Sequence, residues 1–223
     1  LPGLLCDAAA FAPQLQAFSN VADLHVANWR DLSSFQEMAQ FVLDQAPARF
    51  SLLGHSMGGR VALEIAHMAP QRVEKLCLMD LSVEALREGE FAERMALVEQ
   101  AEEAGMPWLA DWWLTTFVPE KRRRDLQLMQ GLRDMVLRHT LADYRNQITA
   151  AVTRRDQGLY LPTLPHRVLL LCGSEDNWST PAQHQAIAAR LPHAEFQQIE
   201  GAGHMPTVEA PRHVNRILTR WWL

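Results

Sequence analysis

Ser56, Asp176 and His204 are the residues whose types and settings could do chemistry together, and that chemistry is nucleophilic attack on a carbonyl carbon. A serine hydroxyl is a poor nucleophile at neutral pH; it becomes useful when a base takes its proton and a third group fixes that base. Ser56 lies in Gly54-His55-Ser56-Met57-Gly58-Gly59, between the strand-like run Arg49-Phe50-Ser51-Leu52-Leu53 and a helical pattern that starts near Arg60. A turn leading straight from strand into helix strains the serine backbone, so the residues two before and two after it must lack side chains. Gly54 and Gly58 meet that demand, and the turn aims the first amides of the helix at any anion forming beside the hydroxyl.

The base candidate is His204, in Gly201-Ala202-Gly203-His204-Met205-Pro206; of nine histidines it alone sits in a glycine-rich loop at a strand end. The orienting acid is read as Asp176, in Cys172-Gly173-Ser174-Glu175-Asp176, with Glu175 and Asp80 as rivals. All three candidates fall beyond the carboxyl ends of strand patterns, where open parallel sheets place their sites. His55 reads as a packing neighbour of the nucleophile. The remaining histidines show no metal-ligand spacing, so no metal and no organic cofactor is expected.

The elements that must position these side chains alternate. Strand patterns at 24–27, 50–53, 75–80, 167–172 and 195–199 are interleaved with helical ones at 34–45, 57–68, 181–191 and 206–222, which predicts βαβ units and a mainly parallel sheet flanked by helices. Ser33 or Ser34 with Glu37 resembles a capping box. From 82 to 165 the alternation fails and only helical periodicity remains, so a helical insertion divides a core made of 1–81 and 166–223. Within it Trp108, Trp112 and Tyr144 have two readings: the insertion's own core, or an apolar lid that would select greasy substrates.

At 223 residues the chain fits one domain with an insertion, and 48% hydrophobic with 21% charged residues is ordinary for a globular protein. A net charge of -5 excludes a nucleic-acid binder built on surplus Lys and Arg, and no apolar run is long enough to span a membrane. Cys6, Cys77 and Cys172 have no disulfide-framework or zinc spacing, which sets a reducing cytoplasm as the expectation. The expected partner is a small-molecule substrate.

The order Ser56, Asp176, His204, the Gly-His-Ser-Met-Gly-Gly turn, Gly-x-x-Asp followed by Pro181, and Gly-His-x-Pro followed by Glu209 and Pro211 together resemble the α/β-hydrolase family over nearly the whole chain. The resemblance is to its cap-bearing esterases and to the cofactor-independent lyase of menaquinone biosynthesis. It implies that 82–165 is a cap, that the family's first two core strands would precede the loop at Pro2-Gly3-Leu4, and that two amides form an oxyanion hole. One amide would be that of Met57. The other would be that of Leu4, in a loop where the family often has histidine in place of Pro2. The implied activity is hydrolysis of an ester or thioester of a small apolar acyl compound through an acyl-enzyme. The alternative is a lyase or carbon–carbon hydrolase using the same three residues, with Arg60 binding an anionic substrate. Arg60 itself reads either as a helix-surface arginine paired with Glu64 or as that anion clamp. The run Lys121-Arg122-Arg123-Arg124 reads as a solvated face.

Overall fold

The computed structural model describes residues 1–222. Four parallel strands lie side by side in chain order: β1 (Phe50–His55), β2 (Val73–Met79), β3 (Val168–Gly173) and β4 (Ala194–Ile199). Every residue of β3 is buried, as an apolar run covered on both faces must be. The period of two sorts its neighbours: Leu76 and Leu78 of β2 and Leu170 of β3 enter one apolar cluster, while Cys77, Met79, Leu169 and Leu171 enter another. The first cluster is closed by α2 (Phe35–Gln45), α3 (Met57–Met68) and α7 (Pro181–Ala188), the second by α1 (Ala12–Phe18) and α9 (Pro211–Trp222).

Between β2 and β3 the described residues hold helices only: α4 (Glu90–Phe117), α5 (Leu126–Leu137), α6 (Leu141–Val152) and short 3-10 turns. Gly105, at φ 84 and ψ 172, breaks α4 into two halves, with Pro107 opening the second. Thr140 and Asp143 form a capping box that starts α6. These helices share a third apolar cluster with Leu5, Cys6 and Met205, so they rest on the loops that carry Leu4 and His204.

The expected strand at 24–27 is absent. Leu24 and His25 are exposed, and the open side of β1 is occupied instead by the Leu1 carbonyl, which accepts from the His55 amide at 3.0 Å, leaving 24–27 no ladder to join. The helix expected over 206–222 is interrupted: Ala210 leaves helical geometry ahead of Pro211, giving α8 (Pro206–Glu209) and then α9. The Ser34 cap is as expected, its hydroxyl accepting from the Glu37 amide.

Candidate active site

Ser56 joins β1 to α3 at φ 53 and ψ −117, a conformation that non-glycine residues avoid. The turn is closed around it. A Cβ on Gly54 would stand 2.5 Å from the Gly58 carbonyl oxygen, and one on Gly58 would stand 2.1 Å from the Leu1 carbonyl oxygen, so neither position tolerates a side chain. The Ser56 amide donates to the Met79 carbonyl at 2.8 Å, fixing the turn to β2.

His204 Nε2 lies 2.9 Å from Ser56 Oγ, and His204 Nδ1 lies 2.7 Å from Asp176 Oδ2. Asp176 Oδ1 accepts from the Trp178 and Ser179 amides. Burial alone would raise the Asp176 pKa, yet the His204 ring and these two amides outweigh it and hold the carboxyl below its ordinary value. Of the two rival acids, Glu175 pairs with Lys121 and Asp80 accepts from the Gly173 amide at 2.8 Å. Asp80 is fully buried beside Asp176, and burial first, then that neighbouring charge, push its pKa well up.

The loop that presents His204 is gripped from below. Glu209 accepts from the Gly203 and Met205 amides at 2.9 and 2.8 Å, and His55 Nε2 donates to the His204 carbonyl at 2.6 Å. Burial, then the nearby His204, lower the His55 pKa to about 3, so its ring is neutral and acts as a hydrogen-bonding wedge. Phe117, at the end of α4, stacks on the His204 ring at 4.9 Å.

A cavity opens over Ser56, and Leu4, Met57 and Arg60 line it. Among the described residues the Leu4 and Met57 amides donate to no protein acceptor, which for Met57 is usual of a first helical amide. Arg60 is buried rather than on the helix surface, and it does not pair with Glu64. Its Nη2 donates to Ser82 Oγ at 2.8 Å and to the Glu84 carbonyl at 3.1 Å, while Gln157 stands between it and Glu64, donating to Glu64 Oε1 at 2.9 Å. Two further arginines line the cavity: Arg94 and Arg154, both held by Glu90 at 2.7 and 2.6 Å. Burial would raise the Glu90 pKa, but these two guanidiniums bring it down to about 2. For Arg60, burial and then the charge of Arg154 lower the pKa to about 9, which leaves it cationic at neutral pH.

Asp80, Cys172 and Asp176 offer buried atoms within 4.8 Å of one another, a spacing a metal ion could bridge. Of their polar atoms Asp80 Oδ2 alone has no partner; the rest are already committed. Asp176 serves His204 and two amides, Asp80 serves Gly173, and the Cys172 thiol donates to the Gly173 and Ser179 carbonyls with its pKa pushed up by burial, whereas a ligand must be a thiolate.

A profile of the alpha/beta hydrolase family matches residues 1–216. The chain belongs to the alpha/beta hydrolase family. A Bacillus subtilis relative, provisionally assigned as 2-succinyl-6-hydroxy-2,4-cyclohexadiene-1-carboxylate synthase, is 26% identical over an alignment of 181 residues that covers 78% of this chain and 65% of that protein; the chain thus spans under two thirds of its length. Among solved structures, a thermophilic esterase from Thermogutta terrifontis superposes with a TM-score of 0.87 at 22% identity, over 99% of this chain and 86% of that one. The enol-lactonase from Burkholderia xenovorans LB400 gives 0.84 at 22% identity, over 99% and 88%. Both show the fold that this family member shares. Among the described residues no helix is long and apolar enough to cross a membrane.

Within this family member the structure gathers Ser56, Asp176, His204, Leu4, Met57 and Arg60 at one place. Trp108, Trp112 and Tyr144, named as lid candidates, are not among the cavity-lining residues; they pack in the apolar cluster of the helical layer, where their spacing turns them toward neighbouring helices. Sequence reasoning missed Arg94, Arg154, Phe117 and Trp178, all of which line the cavity. An arginine on an amphipathic helix carries no mark of which way it faces, but the pair Glu90/Arg94 at helical spacing of four was a signal open to reading.

Proposed function

We propose that the protein hydrolyses a carboxylic ester or thioester through an acyl-enzyme on Ser56. The observation that carries this reading is the unbroken hydrogen-bond chain from Ser56 through His204 to Asp176, opening onto a cavity that Leu4 and Met57 line. His204 Nε2 takes the Ser56 proton as Oγ bonds to the carbonyl carbon, and Asp176 holds the ring in the tautomer whose Nε2 is bare. The Leu4 and Met57 amides receive the oxyanion. His204 returns the proton to the departing alcohol or thiol. Water, deprotonated by the same ring, then attacks the acyl-serine, and the ring passes that proton to Ser56 Oγ as the bond to the acyl carbon breaks and the acid is released. No step needs a metal or organic cofactor. The helices of 82–165 act as a cap over this site.

The substrate carries a negative charge at a distance from the scissile bond. Three guanidiniums, of Arg60, Arg94 and Arg154, line the cavity against the carboxylates of Glu90 and Glu84, and the hydrogen bonds of Arg60 all go to neutral oxygens. Met57, Phe117 and Ile148 supply the apolar stretch between. The ester of a small apolar acyl chain ending in a carboxylate fits both parts.

A fluorophosphonate probe is expected to label Ser56 and to leave Ser56→Ala unlabelled; a labelled alanine variant would overturn the assignment. On a panel of neutral p-nitrophenyl esters and monoesters of dicarboxylic acids, Arg60→Ala is expected to raise KM about tenfold or more for the anionic esters alone. A second reading, a lyase or carbon–carbon hydrolase with Arg60 gripping a carboxylate, is favoured by the same surplus of positive charge and by the carboxylate in the name of the Bacillus relative's product. Normal labelling of Ser56 with no turnover of any ester on the panel would select it.

A further inference from the structure

We infer that Gln147 and Trp113, side chains of the helical layer, are positioning residues that aim the Leu4 amide at the oxyanion. The inference rests on the ester-hydrolase reading above and concerns one peptide plane. The peptide that joins Leu4 to Leu5 has two polar ends, and a helical side chain holds each of them. Its carbonyl oxygen, on Leu4, accepts from Trp113 Nε1 at 3.0 Å; its N–H, on Leu5, donates to Gln147 Oε1 at 2.8 Å. Trp113 and Gln147 are about 1% exposed, and Leu5 is wholly buried, so water is shut out from these bonds.

A peptide clamped at both ends cannot rotate, and its orientation sets the residue before it. The N–H of Leu4 belongs to the preceding peptide, whose carbonyl, on Gly3, is taken by the Cys6 amide at 3.1 Å, and the peptide before that is tied through the Pro2 carbonyl to Trp29 Nε1 at 2.9 Å. The Cys6 thiol adds a weaker bond to the Leu4 carbonyl at 3.4 Å. The Pro2, Gly3 and Leu4 carbonyls and the Leu5 amide are therefore committed, while the Leu4 amide, in a residue that lines the cavity, donates to no acceptor among the described residues. Leu5 is held at φ 55, a left-handed turn that leucine does not adopt unassisted, so the loop depends on outside bonds for its shape. The loop lies against the nucleophile: a Cβ on Gly3 would stand 3.2 Å from Ser56 Cβ.

The placement of the two side chains joins substrate enclosure to catalysis. Trp113 sits one helical turn before Phe117, which stacks on His204, and Gln147 adjoins Ile148, which lines the cavity. A role confined to satisfying a buried amide would cost stability and leave kinetics alone. An aiming role moves kcat, because the oxyanion exists only on the way to and from the acyl-enzyme.

The test uses p-nitrophenyl butyrate hydrolysis and inhibition by a trifluoromethyl ketone, whose hemiketal presents the same oxyanion. Gln147→Leu is expected to lower kcat about ten- to a hundredfold with KM within about twofold, and to weaken the ketone by the same factor as kcat/KM, below the full loss of one donor. Gln147→Glu keeps an acceptor oxygen and is expected to recover most of kcat. Trp113→Phe removes the N–H together with the five-membered ring and keeps a buried aromatic ring; it supplies the same split should Gln147→Leu fail to fold. Wild-type kcat and ketone affinity in Gln147→Leu or Trp113→Phe would overturn the inference, as would a Gln147→Glu as slow as Gln147→Leu. Wild-type protein that no fluorophosphonate labels would overturn the hydrolase reading itself, and the inference with it.

Discussion

At the scale of single residues, Asp80 and Asp176 show how two buried carboxyls divide a charge. Asp176 accepts two amides and faces a histidine, which stabilises its anion; Asp80 has one amide, and its Oδ2 has no partner. Two carboxylates this close in a dry site do not both ionise, and the one with fewer donors keeps the proton. The folded-state pKa of Asp80 is raised above its ordinary 3.8, so its contribution to stability is full below that value and is lost as pH rises through the folded pKa. Asp80→Asn, which keeps an acceptor for Gly173 and cannot ionise, is expected to gain on wild type in Tm as pH rises from about 4 to 9. A gap that stays constant with pH would show Asp80 to be ionised in the fold. Ser56 and His204 were legible in the sequence because glycine-flanked turns at strand ends announce themselves locally. Arg60 was not, since whether an arginine points to solvent or into a cavity depends on Ser82, Glu84 and Gln157, which reach it from elsewhere in the chain.

Secondary-structure elements carry their own evidence. Four of five strand patterns became strands, and each has neighbours to pair with; the fifth, at 24–27, alternates suitably but has no free edge beside it. Strand propensity is a fit to a pleated surface, and without the surface it yields irregular chain. The β1–α3 turn is the most demanding junction in the fold, because α3 starts at once against the strand it leaves. Gly54→Ala is expected to destabilise by about 2–4 kcal/mol in urea unfolding, through forced backbone movement, and to abolish Ser56 labelling in whatever folds. An alanine variant of wild-type stability would mean that the turn has slack that the Gly58 contact denies it.

On the scale of the whole molecule, three apolar clusters account for the shape: one on each face of the sheet and one within the helical layer above it. The cysteines are shared among them. Cys6 belongs to the helical layer, Cys77 to the α9 side, and Cys172 lies in β3; all are buried free thiols whose pKa values burial pushes up. An aromatic disulfide reagent is therefore expected to modify none of them in the native protein and all three in denaturant, at the rate of unfolding. Fast modification of Cys6 alone would mean that the helical layer opens independently of the sheet. The location of that layer was legible as a gap in strand pattern, but its inward-facing charges were not, because α4 is long and polar on several sides. The break in α4 at Gly105 separates two duties. The half before it brings Arg94 to the cavity wall, and the half after it carries Trp113 and Phe117 against the Leu4 carbonyl and the His204 ring. A lineage that redraws the first half changes its diet without retuning its chemistry, so paralogues of this chain should diverge in substrate before Gly105 and in turnover after it.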